Sequence, residues 1–182
     1  MSRRHFAEVM FTQSVKTTQR RYDGYELPVV PTEGAAVEFG VREREYILAR
    51  DSFYLATVSE TGWPHVQHRG GSPGFLKVLG SDILGFADYR GNRQYVSIGN
   101  LRYNDKAALI LVDYPNRRRL KILGRVQVVD TVDASPELIA AVLPPFIEIP
   151  VERVLLITVA AFDWNCSQQI APRYIESEML SC

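Results

Sequence analysis

The spacing of apolar positions along the chain changes character near residue 51. From Ser52 onward it has a period of two. "SFYLATVSE" (52–60) is β-branched and aromatic, "TGWP" supplies a reversal, and "HVQHR" (65–69) starts a partner strand. "SDILGFAD", "KAALILVDY", "RLKILGRVQVVD" and "RVLLITVAAFDW" continue the pattern, with turn signals in "GSPG", "YPNRR" and "VDASPE". Two helices are predicted between them, Asn92 to about Tyr103 and Pro136 to Leu143. Ser135 and Pro136 open the second as cap and first residue. Short reversals leave little room for parallel crossovers. The pattern predicts a mainly β fold, an antiparallel six-stranded sheet closed into a small barrel with a few peripheral helices.

Residues 1–50 read differently. They are charged, weakly periodic and broken by "LPVVPTEG" (27–34). Short helices are expected on either side of that break, the second over about Ala36 to Arg50. There Val37, Val41, Tyr46, Ile47 and Leu48 make one apolar stripe. The chain divides into an N-terminal arm, 1–50, and a barrel domain, 51–182.

Composition narrows the partners. A chain of 182 residues buries roughly 70% of its unfolded surface and needs neither metal nor disulfide for a core. Twenty-one basic residues balance 21 acidic ones, so bulk charge calls for neither nucleic acid nor an anionic membrane. Cys166 and Cys182 make no disulfide framework and are expected as reduced thiols. No apolar run suits a signal peptide or a bilayer span, so a soluble, cytoplasmic protein is expected. Seventeen of the basic residues are Arg and four are Lys. Arginine's planar fork suits carboxylate and phosphate, although base composition of the gene produces the same skew.

The sequence contains no GxSxG, P-loop, HExxH or CxxC. His65 and His68, three apart on a strand, face opposite ways and make a poor metal pair. The chemistry lies instead in polar groups at strand ends. In "FADYRGNRQ" (86–94), Asn92 is placed to cap a helix beginning at Arg93, whose free N–H groups and dipole favour an anion. Gly91 eases the turn, and Arg93 adds a forked donor. A capped helix with solvated arginines explains the same residues. In "PHVQHRGGSPG" (64–74), Gln67 and Arg69 share a strand face, and Gly70 and Gly71 suggest a bulge or a close backbone approach to a ligand. In "RRRLKILGRVQVV", Arg119, Lys121 and Leu123 alternate with Leu120 and Ile122, facing either solvent or a ligand.

Taken in order, these stretches resemble the pyridoxamine 5′-phosphate oxidase family of flavin mononucleotide (FMN)-binding split barrels, over roughly Ser52 to Val129, with a weaker tail at "WNCSQQIAPRY". The resemblance implies that Gln67, His68, Arg69, Gly70, Gly71 and Ser72 line the flavin. It implies that Phe86, Ala87, Asn92, Arg93 and Gln94 form the phosphate turn. It assigns Arg119 a polar position before "GRV", and has Trp164 and Arg173 approach from the partner of a homodimer with FMN in the interface. The expected function is oxidoreduction through FMN, with a small-molecule substrate or a reductant such as NAD(P)H. The family's flavin-strand arginine and lysine fall on Gln67 and Ser72, its turn lysine on Gln94, and its Arg-x-His element is missing from "APRYIE". The resemblance therefore points to an FMN protein related to the oxidases rather than to vitamin B6 oxidation. The alternative is a non-enzymatic split barrel holding haem or another tetrapyrrole on His65 or His68.

Overall fold

The computed structural model describes residues 2–143, 150–165 and 167–174. Cys166, Cys182 and positions 144–149 of the segment after the last predicted helix lie outside the described residues. One seven-stranded antiparallel sheet organises the chain. Its strands are β1 (Ser52–Val58), β2 (Pro64–Gly70), β3 (Lys77–Val78), β4 (Ile83–Tyr89), β5 (Lys106–Asp113), β6 (Arg118–Asp130) and β7 (Val151–Asn165). The six predicted strands are all present. The seventh, β3, is two residues long, too short for its period to show. The order across the sheet is β2-β1-β5-β6-β7-β4-β3.

The strand pattern explains the core. On β5, Ala107, Leu109 and Leu111 alternate inward; on β6, Leu120, Ile122 and Val126 do the same; β7 adds Leu155, Ile157 and Phe162. Each large aliphatic side chain buried this way contributes about 1.5–3 kcal/mol. β6 and β7 shift register between Leu123 and Gly124. A Cβ on Gly124 would stand 2.6 Å from Ile157 Cγ2 and 2.9 Å from the Thr158 carbonyl oxygen, so the close strand approach there needs glycine.

The sheet curls until its ends meet. Phe53 of β1 lies edge-on to Phe86 of β4, with ring centroids 5.3 Å apart. β3 pairs only with Gly85 and Leu84, so among the described residues the outer edge of β4 beyond Phe86 has no strand neighbour. Across that gap stands β2, which among the described residues is bonded only to β1. The barrel therefore has a seam between β2 and the end of β4.

Among the described residues five helices surround the sheet: α1 (Ser2–Met10), α2 (Gln13–Asp23), α3 (Val41–Leu48), α4 (Val96–Tyr103) and α5 (Pro136–Val142). Two of them precede the break at 27–34. His5 Nε2 donates to the Ala35 carbonyl at 2.7 Å. Glu8 accepts the Thr32 N–H at 2.7 Å and its hydroxyl at 2.8 Å. The helix expected over 36–50 starts only after Gly40. Residues before it stay extended because the Phe39 N–H donates to the Ser81 carbonyl at 2.8 Å and its ring packs on Phe162. Tyr46 and Ile47 of α3 enter the core. α5 is capped by Ser135, whose hydroxyl accepts the Leu138 N–H at 3.2 Å. No helix among the described residues is long and apolar enough to cross a membrane.

Candidate functional site

A cleft of about 240 Å³ opens at the seam, lined by β2, the end of β4, the loop 91–95, the first turn of α4 and Arg153. β2 contributes His65, Gln67 and Arg69 from one face. In register these stand beside Thr57, Leu55 and Phe53 of β1, so they occupy the inward face that is apolar elsewhere in the barrel. Polar side chains there need partners.

Arg69 and Asp88 meet across the seam. Arg69 Nη1 donates to Asp88 Oδ1 at 2.8 Å. Arg153 Nε, from β7, donates to Asp88 Oδ2 at 3.0 Å. Arg153 also pairs with Glu152 and lies over the Tyr95 ring, 4.9 Å from its centroid. Glu152 in turn accepts from Arg90 at 3.1 Å. Burial alone would lower the Arg153 pKa, but the hydrogen bond and charge of Asp88, then of Glu152, outweigh it and raise the value above the ordinary arginine range. Arg69 Nε is buried and has no hydrogen-bond partner among the described residues. Three guanidiniums in the lining (Arg69, Arg93 and Arg153) face one carboxylate, Asp88, leaving two net positive charges.

The loop departs from its predicted form. Asn92 does not cap α4. Its Oδ1 accepts the Gln94 N–H at 3.1 Å, closing an Asx turn. Arg93 and Tyr95 take left-handed conformations, with φ 64° and 52°, which a right-handed helix cannot contain. α4 therefore begins at Val96, three residues later than expected. Tyr95 holds the cap position and supplies no side-chain bond. The first helical bond runs from the Gly99 N–H to the Tyr95 carbonyl at 2.8 Å, so the amides of Val96, Ser97 and Ile98 precede it. All three residues line the cleft. An uncapped helix start with its dipole facing a cationic cleft favours a bound anion. Each left-handed non-glycine residue costs roughly 1–2 kcal/mol, and such strain gathers at functional sites.

Gln67, Arg69, Asn92, Arg93 and Gln94 thus come together. His68 does not join them. It points to the other face of β2 and lies edge-on to Tyr54 at 5.6 Å. Gly70 and Gly71 are small for reasons internal to the fold, since a Cβ on Gly70 would meet His68 Cε1 at 3.0 Å and one on Gly71 would meet Phe75 Cβ at 2.8 Å. Ser72 sits outside the cleft in a turn, its carbonyl accepting the Phe75 N–H at 2.9 Å. Phe86 is a core residue, 1% exposed, and Ala87 packs with Val142 and Val154; neither lines the cleft.

Arg119, Trp164 and Arg173 lie elsewhere in the same chain. Arg119 pairs with Asn165 at the far end of β6 and β7. Trp164 Nε1 donates to Glu43 at 2.8 Å, and the Arg42 and Arg118 guanidiniums lie 4.2 Å and 4.9 Å from its ring centroid. Arg173 stands 4.9 Å over Tyr114. Trp164 and Arg153 are eleven residues apart on β7, roughly 36 Å at strand spacing. Sequence reasoning missed Asp88, Arg153 and Tyr95. Asp88 had one available signal: it shares an inward face with Phe86, two residues before, where a charge needs a partner.

The profile of the family described as pyridoxamine 5′-phosphate oxidase matches residues 42–162. No curated protein matches the chain. Among solved structures, a Lactobacillus delbrueckii protein given the provisional name of pyridoxamine 5′-phosphate oxidase is 19% identical. That match covers 71% of this chain and 97% of that one, with a TM-score of 0.54. HupZ of Group A Streptococcus is 14% identical over 75% of this chain and 100% of its own, with a TM-score of 0.52. These are likenesses of fold. The profile match runs from the second residue of α3 into β7 and so reaches every strand of the sheet: the chain belongs to the pyridoxamine 5′-phosphate oxidase family.

Proposed function

We propose that this protein binds FMN, holds its phosphate in the seam cleft, and works as an FMN-dependent oxidoreductase distinct from the vitamin B6 oxidases. The observation that carries the reading is the cleft's surplus of two positive charges facing an uncapped helix start. A phosphate monoester carries a charge near −2 at neutral pH and so matches the surplus. The group fits the donors present. A buried N–H without a partner costs about 1–3 kcal/mol, and Arg69 Nε is such a group.

Arg93 and Arg69 would hold the phosphate, with the amides of Ser97 and Ile98 and the side chains of Asn92 and Gln94 completing the cradle. Gln67 and His65 form the wall beside it. When bound, FMN supplies hydride and electron transfer; the chain's own groups bind, orient and neutralise. No general base is required of them.

A cleft of about 240 Å³ is smaller than the roughly 300–1,000 Å³ typical of ligand pockets, so the flavin ring needs a further surface. A second copy of the chain supplies it in this reading. Tyr54, Trp63 and Val66 expose apolar surface on β1, β2 and their hairpin, Tyr54 and Val66 on the face of these strands opposite the cleft-lining side chains. Arg119, Trp164 and Arg173 would then act from the partner, since their own cleft is out of reach. The electron donor is expected to be a small reductant such as NAD(P)H. The charged lining suits a phosphate better than the apolar faces of a tetrapyrrole.

The test is the visible spectrum of the purified protein, followed by titration with FMN, riboflavin and haemin, with mass by light scattering. Flavin absorbance, a dimeric mass and riboflavin binding at least about tenfold weaker than FMN are expected. Colourless protein that takes up no FMN, or a Soret band in place of flavin binding, would overturn the reading.

A further inference from the structure

Asp88 is the most deeply buried charge in the cleft, 4% exposed, and both its oxygens are occupied. Oδ1 accepts from Arg69 on β2, and Oδ2 from Arg153 on β7. Arg153 has further partners in Glu152 and the Tyr95 ring. Arg69 bonds only to Asp88 among the described residues, and its buried Nε is left over. A carboxylate between two guanidiniums offers them the kind of charged oxygens that a phosphate would offer.

We propose that Asp88 is a resident counter-ion of the cleft, competing with an incoming phosphate monoester for Arg69 and Arg153 and so setting the anion affinity below what three arginines alone would give. This rests on reading the cleft as a phosphate site. With Asp88 present, the lining carries two surplus charges and matches one phosphate dianion. Without it, the surplus is three, and the cleft binds anions more tightly and less selectively. A purely structural role predicts the reverse. Loss of Asp88 would then leave guanidiniums unpaired, loosen the walls and weaken binding.

Asp88→Asn keeps the shape and removes the charge. Wild type and variant are titrated with FMN and, separately, with inorganic phosphate, by calorimetry at low salt. About tenfold tighter binding of both probes by the variant is expected, shrinking as salt is raised, together with a lower melting temperature. Equal or weaker binding by the variant overturns the proposal and assigns Asp88 to the scaffold. If Asp88→Asn fails to fold, Arg69→Gln is compared with Arg69→Gln/Asp88→Asn, which removes a member of both charge types. Tighter phosphate binding by the double variant supports the counter-ion, and unchanged or weaker binding overturns it. FMN binding without tightening sinks the counter-ion and leaves the flavin site standing. Tighter phosphate binding with no FMN binding at all supports the counter-ion and sinks the flavin reading.

Discussion

Replacing Arg93 with glycine separates binding from folding. Arg93 has φ 64°, a conformation that costs a residue with a Cβ roughly 1–2 kcal/mol and glycine nothing. Against that gain, glycine adds freedom to the unfolded chain, worth about 0.4–1 kcal/mol. The Arg93 side chain is exposed and has no hydrogen bond or ion pair among the described residues, so its removal breaks nothing in the fold. The net change is expected between about zero and 1.6 kcal/mol of stabilisation, a melting rise of roughly 3–6 °C at most for a chain of this size. Binding behaves differently. Losing one charge-assisted hydrogen bond costs about 1.5–3 kcal/mol, a weakening of roughly 10- to 100-fold. Arg93→Lys should recover part of the affinity, since charge returns without the fork. Thermal melts without ligand and flavin-fluorescence titrations with FMN measure the two quantities. An affinity within twofold of wild type in Arg93→Gly would refute the placement of phosphate at this turn. A melting loss of about 8 °C or more would show that Arg93 serves the fold.

Two further predictions concern the framework. The Tyr46 hydroxyl lies 3.1 Å from the Leu111 carbonyl and 3.0 Å from that of Arg118. Burial pushes its pKa up to about 12, against the opposing pull of the Arg50 charge. The unfolded chain therefore loses this proton first, and the contribution is intact below about pH 10 and lost as pH rises towards 12. Urea midpoints from pH 9 to 12 should fall more steeply in wild type than in Tyr46→Phe, and equal slopes would contradict the assignment. Gly124→Ala drives a methyl against the Thr158 carbonyl and Ile157; a loss of about 1–3 kcal/mol should appear as a lower melting temperature, and an unchanged melt would show that the register shift can relax.

Strands were legible because their signal is local. β5 alternates inward and outward without a break, and β1, β6 and β7 show the same period in their apolar residues. The seam was not legible, because Arg69 and Asp88 are nineteen residues apart and meet only when the two ends of the sheet close on each other. The loop before α4 misled for a different reason. Asn92 is a good cap by type, and nothing in "NRQY" marks the left-handed turns at Arg93 and Tyr95, positions where glycine would have been the visible clue. Asn92, Arg93 and Gln94 do line the cleft, but the helix start there is at Val96, not Arg93. "GG" at 70–71 suggests a bulge or a close approach to a ligand; in the structure a Cβ on either glycine would meet His68, the Asp51 carbonyl or Phe75. The resemblance assigns Phe86 to the cofactor, whereas the structure buries its ring in the core against Phe53.

The seam makes the sheet a strip with a clasp rather than a hoop. β2 hangs from β1 alone, and its inner side chains reach the rest of the barrel through an ion pair instead of a backbone ladder. Local opening follows the weakest attachments first, so β2 can swing away while Leu120, Ile122 and Ile157 stay packed. On the proposed reading, the strand held by the fewest ladder bonds is also one wall of the phosphate cleft. If FMN binds there as proposed, filling the cleft should hold β2 in place, and protein with and without FMN should differ most in how readily the amides of β2 exchange with solvent.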